Sequence, residues 1–366
     1  MKTTTTQKLF PVIAIALMVS ILASCKKDKK VAPEKVAGKY DNGFFIINEG
    51  SYKNASGSIS FFDYAKGTIT DSIFTKENPG KTFDPNTSEL EFGTIYNGKF
   101  YLLTKSGGPL VVADATTLKE TGRIPAAGTN DYREFIGINS TTGLVSTGDG
   151  IYPLNLSSVT LGTKIPNISG EIGDMIKAGN YIFVLSANDG LDILNASDYS
   201  VAKNIPGMAV GFAVTPDGSV WVAGNTSLDK INPTNLAVTS VTLPFTVNNT
   251  WGFWHPGSIT ASTKDNTVFL ANNDQYNGGK TIYKYIDGNS STLTSPFITI
   301  ATGKELYGKG LAYNSTNNQL VVSTVESGFG THYAVNDLDF YDPNSGALIK
   351  DIPFSGYYFP ATYVFH

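Results

Sequence analysis

GNYIFVLSANDGLDILN, residues 179–195, holds the unit from which the fold follows. A Gly-Asn turn leads into the apolar run YIFVLS, the polar SANDG bends the chain back, and a second run stops at Asn195. Asn, Asp and Gly are the residues that tight hairpin turns demand. An Asn or Asp at the end of a strand accepts hydrogen bonds from the backbone two residues on and so closes the next turn.

The same terminal mark recurs along the chain. It appears as SISFFD (to Asp63), PLVVAD (to Asp114), GIYPLN (to Asn155), SLDKIN (to Asn232), IYKYID (to Asp287) and DLDFYD (to Asp342), which with GLDILN makes seven copies. Upstream of these marks lie turn-plus-strand segments: NGKFYLLT at Asn97, DGSVWVAG at Asp217, DNTVFLAN at Asp265 and NNQLVVST at Asn317, with TTGLVSTG at Thr141 a weaker copy. Before each turn comes a further apolar piece (FGTIY, FIGIN, DMIKA, GFAVT, SITAS, GLAYN), and after each mark a fourth, such as KETGRI or GALIKDI. Four antiparallel strands repeated at about 46-residue spacing predict an all-β, seven-bladed β-propeller over residues 41–366.

The first copy opens at DNGFFIINEG, residues 41–50, which matches a second strand and has no first strand before it. The last copy is complete near Phe354 and is followed by PATYVFH. The economical reading is that Pro360–His366 pairs with Phe44–Gly50 and completes the first blade, closing the ring and removing the exposed edges.

Charged residues are 16% of the chain and Gly numbers 37, with 21 Phe and 19 Tyr. That composition suits short strands and tight turns. The net charge of −4 argues against a nucleic-acid partner, which needs a basic surface. A single cysteine, Cys25, excludes an intrachain disulfide and a Cys-based zinc site.

Residues 1–24 read as a signal peptide: Lys2 and Lys8 lead an apolar stretch from Leu9 to Leu22, too short to span a bilayer comfortably. Leu22-Ala23-Ser24-Cys25 resembles a lipobox, so Cys25 is expected to carry lipid. KKDKKVAPEKVAGK then reads as a flexible tether, and residues 25–40 form the link to the propeller. The expected location is the outer membrane, by lipid anchor, on its periplasmic or cell-surface side.

Long loops cluster in one part of the repeat: residues 48–58, 272–280 and 324–337 between second and third strands, and the blade connections 78–91 and 244–257. They carry Tyr52, Trp251, Phe253, Trp254, His255, Tyr276, Phe329, His332 and Tyr333, the candidate ligand-binding residues, with Tyr357 and Tyr358 nearby. Aromatics among Asn and Gly give large contact area at low entropy cost. The alternative is that these rings pack beneath their own loops. No catalytic residue, cofactor or metal site is expected: the chain has three histidines and no G-x-S-x-G, H-E-x-x-H or Walker sequence. Glu89, Glu91, Glu134, Glu171 and Asp174 fall where they would approach the mouth of a central channel.

The lipobox, the FFIINEG…GSISFFD opening, the repeat and WGFWHPGSI together resemble YncE-like seven-bladed propeller lipoproteins of Bacteroidota. One branch of these binds cobalamin at the cell surface and passes it to a TonB-dependent transporter. The resemblance implies a membrane-anchored binding protein with a corrinoid-like ligand and a transporter partner. A protein-interaction scaffold of the envelope and a propeller hydrolase or lactonase with a channel metal are the other two classes.

Overall fold

A computed structural model describes residues 38–248, 251, 255–272, 279–328 and 330–366. Cys25, the signal segment and the tether to residue 37 lie outside the described residues, as do Phe253, Trp254, Tyr276 and Phe329. The described strands form seven antiparallel sheets. They are the seven blades the repeat predicts.

The innermost strands are Pro360–Val364, Glu89–Tyr96, Tyr132–Gly137, Ile172–Ala178, Val210–Val214, Ile259–Ala261 and Lys304–Asn314, for blades 1 to 7 in ring order. Each packs on the next, and Lys304–Asn314 packs on Pro360–Val364, so the circle is complete. In blade 5 the second and third strand positions run together as Val220–Ile231. Its first half pairs with Val210–Val214 and its second with Val238–Val247.

Closure follows the expected pairing. Val364 lies opposite Phe45, Tyr363 opposite Ile46, Thr362 opposite Ile47 and Pro360 opposite Asn48. Aromatic packing seals the seam: Phe44 meets Tyr363 at 5.8 Å and Phe365 at 5.0 Å between ring centroids, and Phe62 meets Phe340 of blade 7 at 5.1 Å. One buried apolar cluster lies in each of the seven gaps between neighbouring blades. Alternate side chains of each strand therefore face opposite neighbours, and both faces of a blade are core.

The terminal marks act as turn closers. Asp63 Oδ1 accepts from the N–H groups of Ala65 and Lys66 at 2.9 and 3.0 Å, and Asp114, Asn155 and Asp342 repeat the pattern. At six of the seven marks, all but Asp287, the residue four beyond donates its N–H to the mark's carbonyl. That residue sits in the left-handed region, as glycine at Gly67 and Gly346 but as Leu118, Val159, Tyr199 and Leu236 elsewhere. A non-glycine side chain is strained there. Each of these four packs into or against an inter-blade cluster, and that burial offsets the strain.

One element departs from the repeat. GTITDSI reads as a fourth strand, but only Thr68–Thr70 pairs, and Ile73–Glu77 forms a short helix. Ile73 and Phe74 are 1% exposed and join the cluster between blades 1 and 2, with Phe74 against Phe83 at 4.8 Å. Filling the gap beside the shortened strand outweighs continuing the sheet.

Candidate ligand-binding site at the channel mouth

Each innermost strand enters from the loop face and lines the central channel. In blades 2, 3 and 4 its pairing with the second strand is interrupted near its start. A bulge leaves residues out of the ladder and turns them aside. The displaced residues include Glu91, Glu134 and Asp174, which are 1%, 4% and 3% exposed. Glu134 accepts the N–H of Met175 in the next blade at 2.5 Å, and Asp174 accepts that of Gly257, two blades on, at 3.5 Å. These carboxylates thus stitch neighbouring blades together around the axis.

Glu91 does something different. Lys105 of the adjacent strand places its ammonium 2.8 Å from Glu91 and 3.0 Å from Glu49 of blade 1. Tyr307 of blade 7 donates its hydroxyl to the same Glu49 oxygen at 3.3 Å. Burial works against the Lys105 charge, but the two carboxylates outweigh it and raise its pKa. Burial and the Glu49 charge push Glu91 well above the usual carboxylate range, with Lys105 opposing. Burial lowers the His255 pKa.

Above this throat, the Tyr307 ring lies 5.0 Å from His255 and stacks at 4.0 Å on Phe359, which Tyr333 covers at 4.7 Å. Phe359 has φ 51, an uncommon conformation for a bulky residue. Its carbonyl accepts from Glu49 N–H and its N–H donates to Tyr333. Further backbone bonds join Gly50 to Tyr358, Gly356 to Ala334, Lys53 to Asn86 and Leu90 to Glu49. Loops from blades 7 and 1 and the connection into blade 2 therefore form one continuous surface at the seam of the ring.

The expected aromatic patch is only partly gathered there. Tyr52 stands 55% exposed on the blade 1 loop, and Tyr333 covers Phe359. His332 is exposed, with Nδ1 2.7 Å from Glu326. His255 is buried beneath them, and its Nδ1 lies 3.1 Å from the Pro256 carbonyl. Trp251 is elsewhere: it packs against the Phe183–Met208 cluster between blades 4 and 5, across the ring from the seam. Loop length alone does not reveal that position.

Of the five acidic residues read near the channel, Glu91, Glu134 and Asp174 line its wall. Glu89 accepts from Ser106 at 3.1 Å, and Glu171 pairs with Arg133 at 2.6 Å. Among the described residues no group of three or more His, Cys, Asp or Glu is placed to hold a metal ion. Lys105, Tyr307 and Phe359 were not singled out from sequence. Their one local signal is an ionisable or aromatic residue set near a glycine, in FYLLTKSGG, LYGKG and SGYYFP.

A family model described as a domain of unknown function, DUF5074, matches residues 42–366. The chain belongs to the DUF5074 family. Among solved structures it is similar to a quinonprotein alcohol dehydrogenase-like protein of Bacteroides thetaiotaomicron, with TM-score 0.71 and 20% identity, over 89% of this chain and 78% of that one. It is also similar to the dihydro-heme d1 dehydrogenase NirN, solved in complex with DHE (TM-score 0.54, 10% identity, 88% and 75% covered). A third is apo AztD of Citrobacter koseri (0.51, 13%, 88% and 97%). At these identities the likenesses establish the propeller fold. A comparison with curated proteins finds no match.

Proposed function

We propose that this DUF5074 propeller is a non-enzymatic binding protein that takes a large amphipathic ligand of corrinoid type at the seam of its loop face. In this reading the lipid on Cys25 holds it at the outer membrane, and the ligand passes from it to a TonB-dependent transporter. One observation carries the reading: backbone bonds fuse three neighbouring loops into a single surface bearing Tyr52, His332, Tyr333 and Tyr358 above the Tyr307–Phe359 stack. Such rings supply flat apolar area, while the adjoining Asn and Gly backbone supplies adaptable polar contacts. The Glu49–Lys105–Glu91 throat lies beneath this surface, with Lys105 paired to both carboxyl groups.

Calorimetric titration of the purified protein with cyanocobalamin tests this. Saturable heat with one-to-one stoichiometry, and co-elution on gel filtration, is the expected result. Absence of both removes the corrinoid, and capture of another envelope protein through the same loops would then favour the scaffold class.

A further inference from the structure

A second concavity opens on the loop face, between blades 4 and 5. It has a volume of about 220 Å³ and is lined by Trp251, Asn188, Asn225, Met208 and Ser186 around a floor of Gly and Ala backbone. At about 30 Å³ per water it holds roughly seven waters, the scale of one sugar ring. None of its lining residues is ionisable. A charged ligand would find no counter-charge in its walls.

The polar groups are arranged by the turns that carry them. Asn188 sits on the second-to-third strand turn of blade 4. Asn225 lies within Val220–Ile231, where those strand positions meet in blade 5, at φ 50, and its Nδ2 donates to the Gly207 carbonyl at 3.4 Å, leaving Oδ1 toward a ligand hydroxyl. Each amide lies over a glycine of the connection entering its own blade. A Cβ on Gly170 would come 2.5 Å from Asn188 Nδ2, and one on Gly207 2.5 Å from Asn225 Nδ2. Gly190 closes the floor, where a Cβ would meet Gly207 N at 2.7 Å. The cavity therefore has an indole wall, two amides, the apolar side chains of Met208 and Val247, and a base of Gly and Ala.

We propose that this cavity binds a single neutral pyranose ring, with its C–H face on the Trp251 indole and its hydroxyls on the amides of Asn188 and Asn225. A pyranose presents an apolar C–H face and a rim of neutral donors and acceptors, which is the complement of these walls. The site is separate from the seam and does not depend on the corrinoid reading.

Saturation-transfer NMR on the full protein tests it, with methyl β-D-glucopyranoside, methyl α-D-mannopyranoside and methyl β-D-galactopyranoside as probes and adenosine and glucuronate as comparators. At least one pyranoside should receive saturation, and glucuronate less. Trp251→Ala should abolish the transfer, and Asn188→Ala or Asn225→Ala should weaken binding about two- to tenfold, as expected for a lost neutral hydrogen bond. Silence from all three pyranosides overturns the proposal, and so does transfer to adenosine alone. If Trp251→Ala fails to fold, the two exposed Asn variants decide: pyranoside binding unchanged in both refutes the assignment.

Discussion

Removing Pro360–His366 takes out the innermost strand of blade 1 and nothing else from the ladder. Within it Ala361, Thr362, Tyr363 and Val364 are 2%, 3%, 9% and 6% exposed. Burying a large side chain is worth about 1.5–3 kcal/mol, so loss of Tyr363 and Val364 alone costs about 3–6 kcal/mol. Phe44 and Ile46, now fully buried, lose cover, and the inward edge of Gly43–Asn48 loses its partner. The total reaches at least about 5 kcal/mol, against a whole-domain stability of about 5–15 kcal/mol. The truncated protein should therefore unfold at much lower urea, followed by circular dichroism, and should aggregate through the exposed edge. An unfolding free energy within about 1 kcal/mol of the intact chain's would show that the seam carries no stability and refute the reasoning.

Burial pushes Glu134 up to about 8, with Lys309 opposing and Asp174 adding to the rise. The folded carboxyl keeps its proton where the unfolded one, near 4.3, has lost it, so the folded state binds more protons between about pH 4.5 and 8 and stability falls as pH rises through that window. Glu134→Gln keeps an acceptor for Met175 N–H and should flatten part of this fall in melts at pH 5 and pH 8; an unchanged slope contradicts it. Lys105→Met strands two buried carboxylates and should destabilise by about 3–5 kcal/mol in urea melts, and a loss below about 1 kcal/mol would mean the throat is solvated. Tyr333→Ala should weaken cyanocobalamin binding roughly tenfold in calorimetry with little change in melting, and full affinity in this variant would move the ligand off the seam.

The repeat was legible because most blades use Asp or Asn to close the same turn. Asp63, Asp114, Asn155, Asn232 and Asp342 close the turns their positions imply. The seam was legible because a strand lacking a hairpin partner at one end of the repeat matched a gap at the other. The helix Ile73–Glu77 was not, since its cause is a tertiary gap beside the strand Thr68–Thr70. The throat was half legible. Glu91, Glu134 and Asp174 each interrupt an apolar strand just before Phe or Met, in ELEF, YREF and IGDM, a recurrence that marks the bulges. Lys105, Tyr307 and Phe359 converge from blades 2, 7 and 1, and no local pattern gives the direction of a side chain relative to the ring axis. Loop length likewise pointed to the seam loops but not to the position of Trp251, which packs between blades 4 and 5.

In the proposed function the fused seam loops are the ligand surface. Hydrogen–deuterium exchange of the intact protein with and without saturating cyanocobalamin tests it most directly. Exchange should slow in peptides covering residues 49–57, 330–336 and 355–359, with the outer strands unchanged. Exchange unaltered at those three loops, or protection confined to other blades, would contradict it.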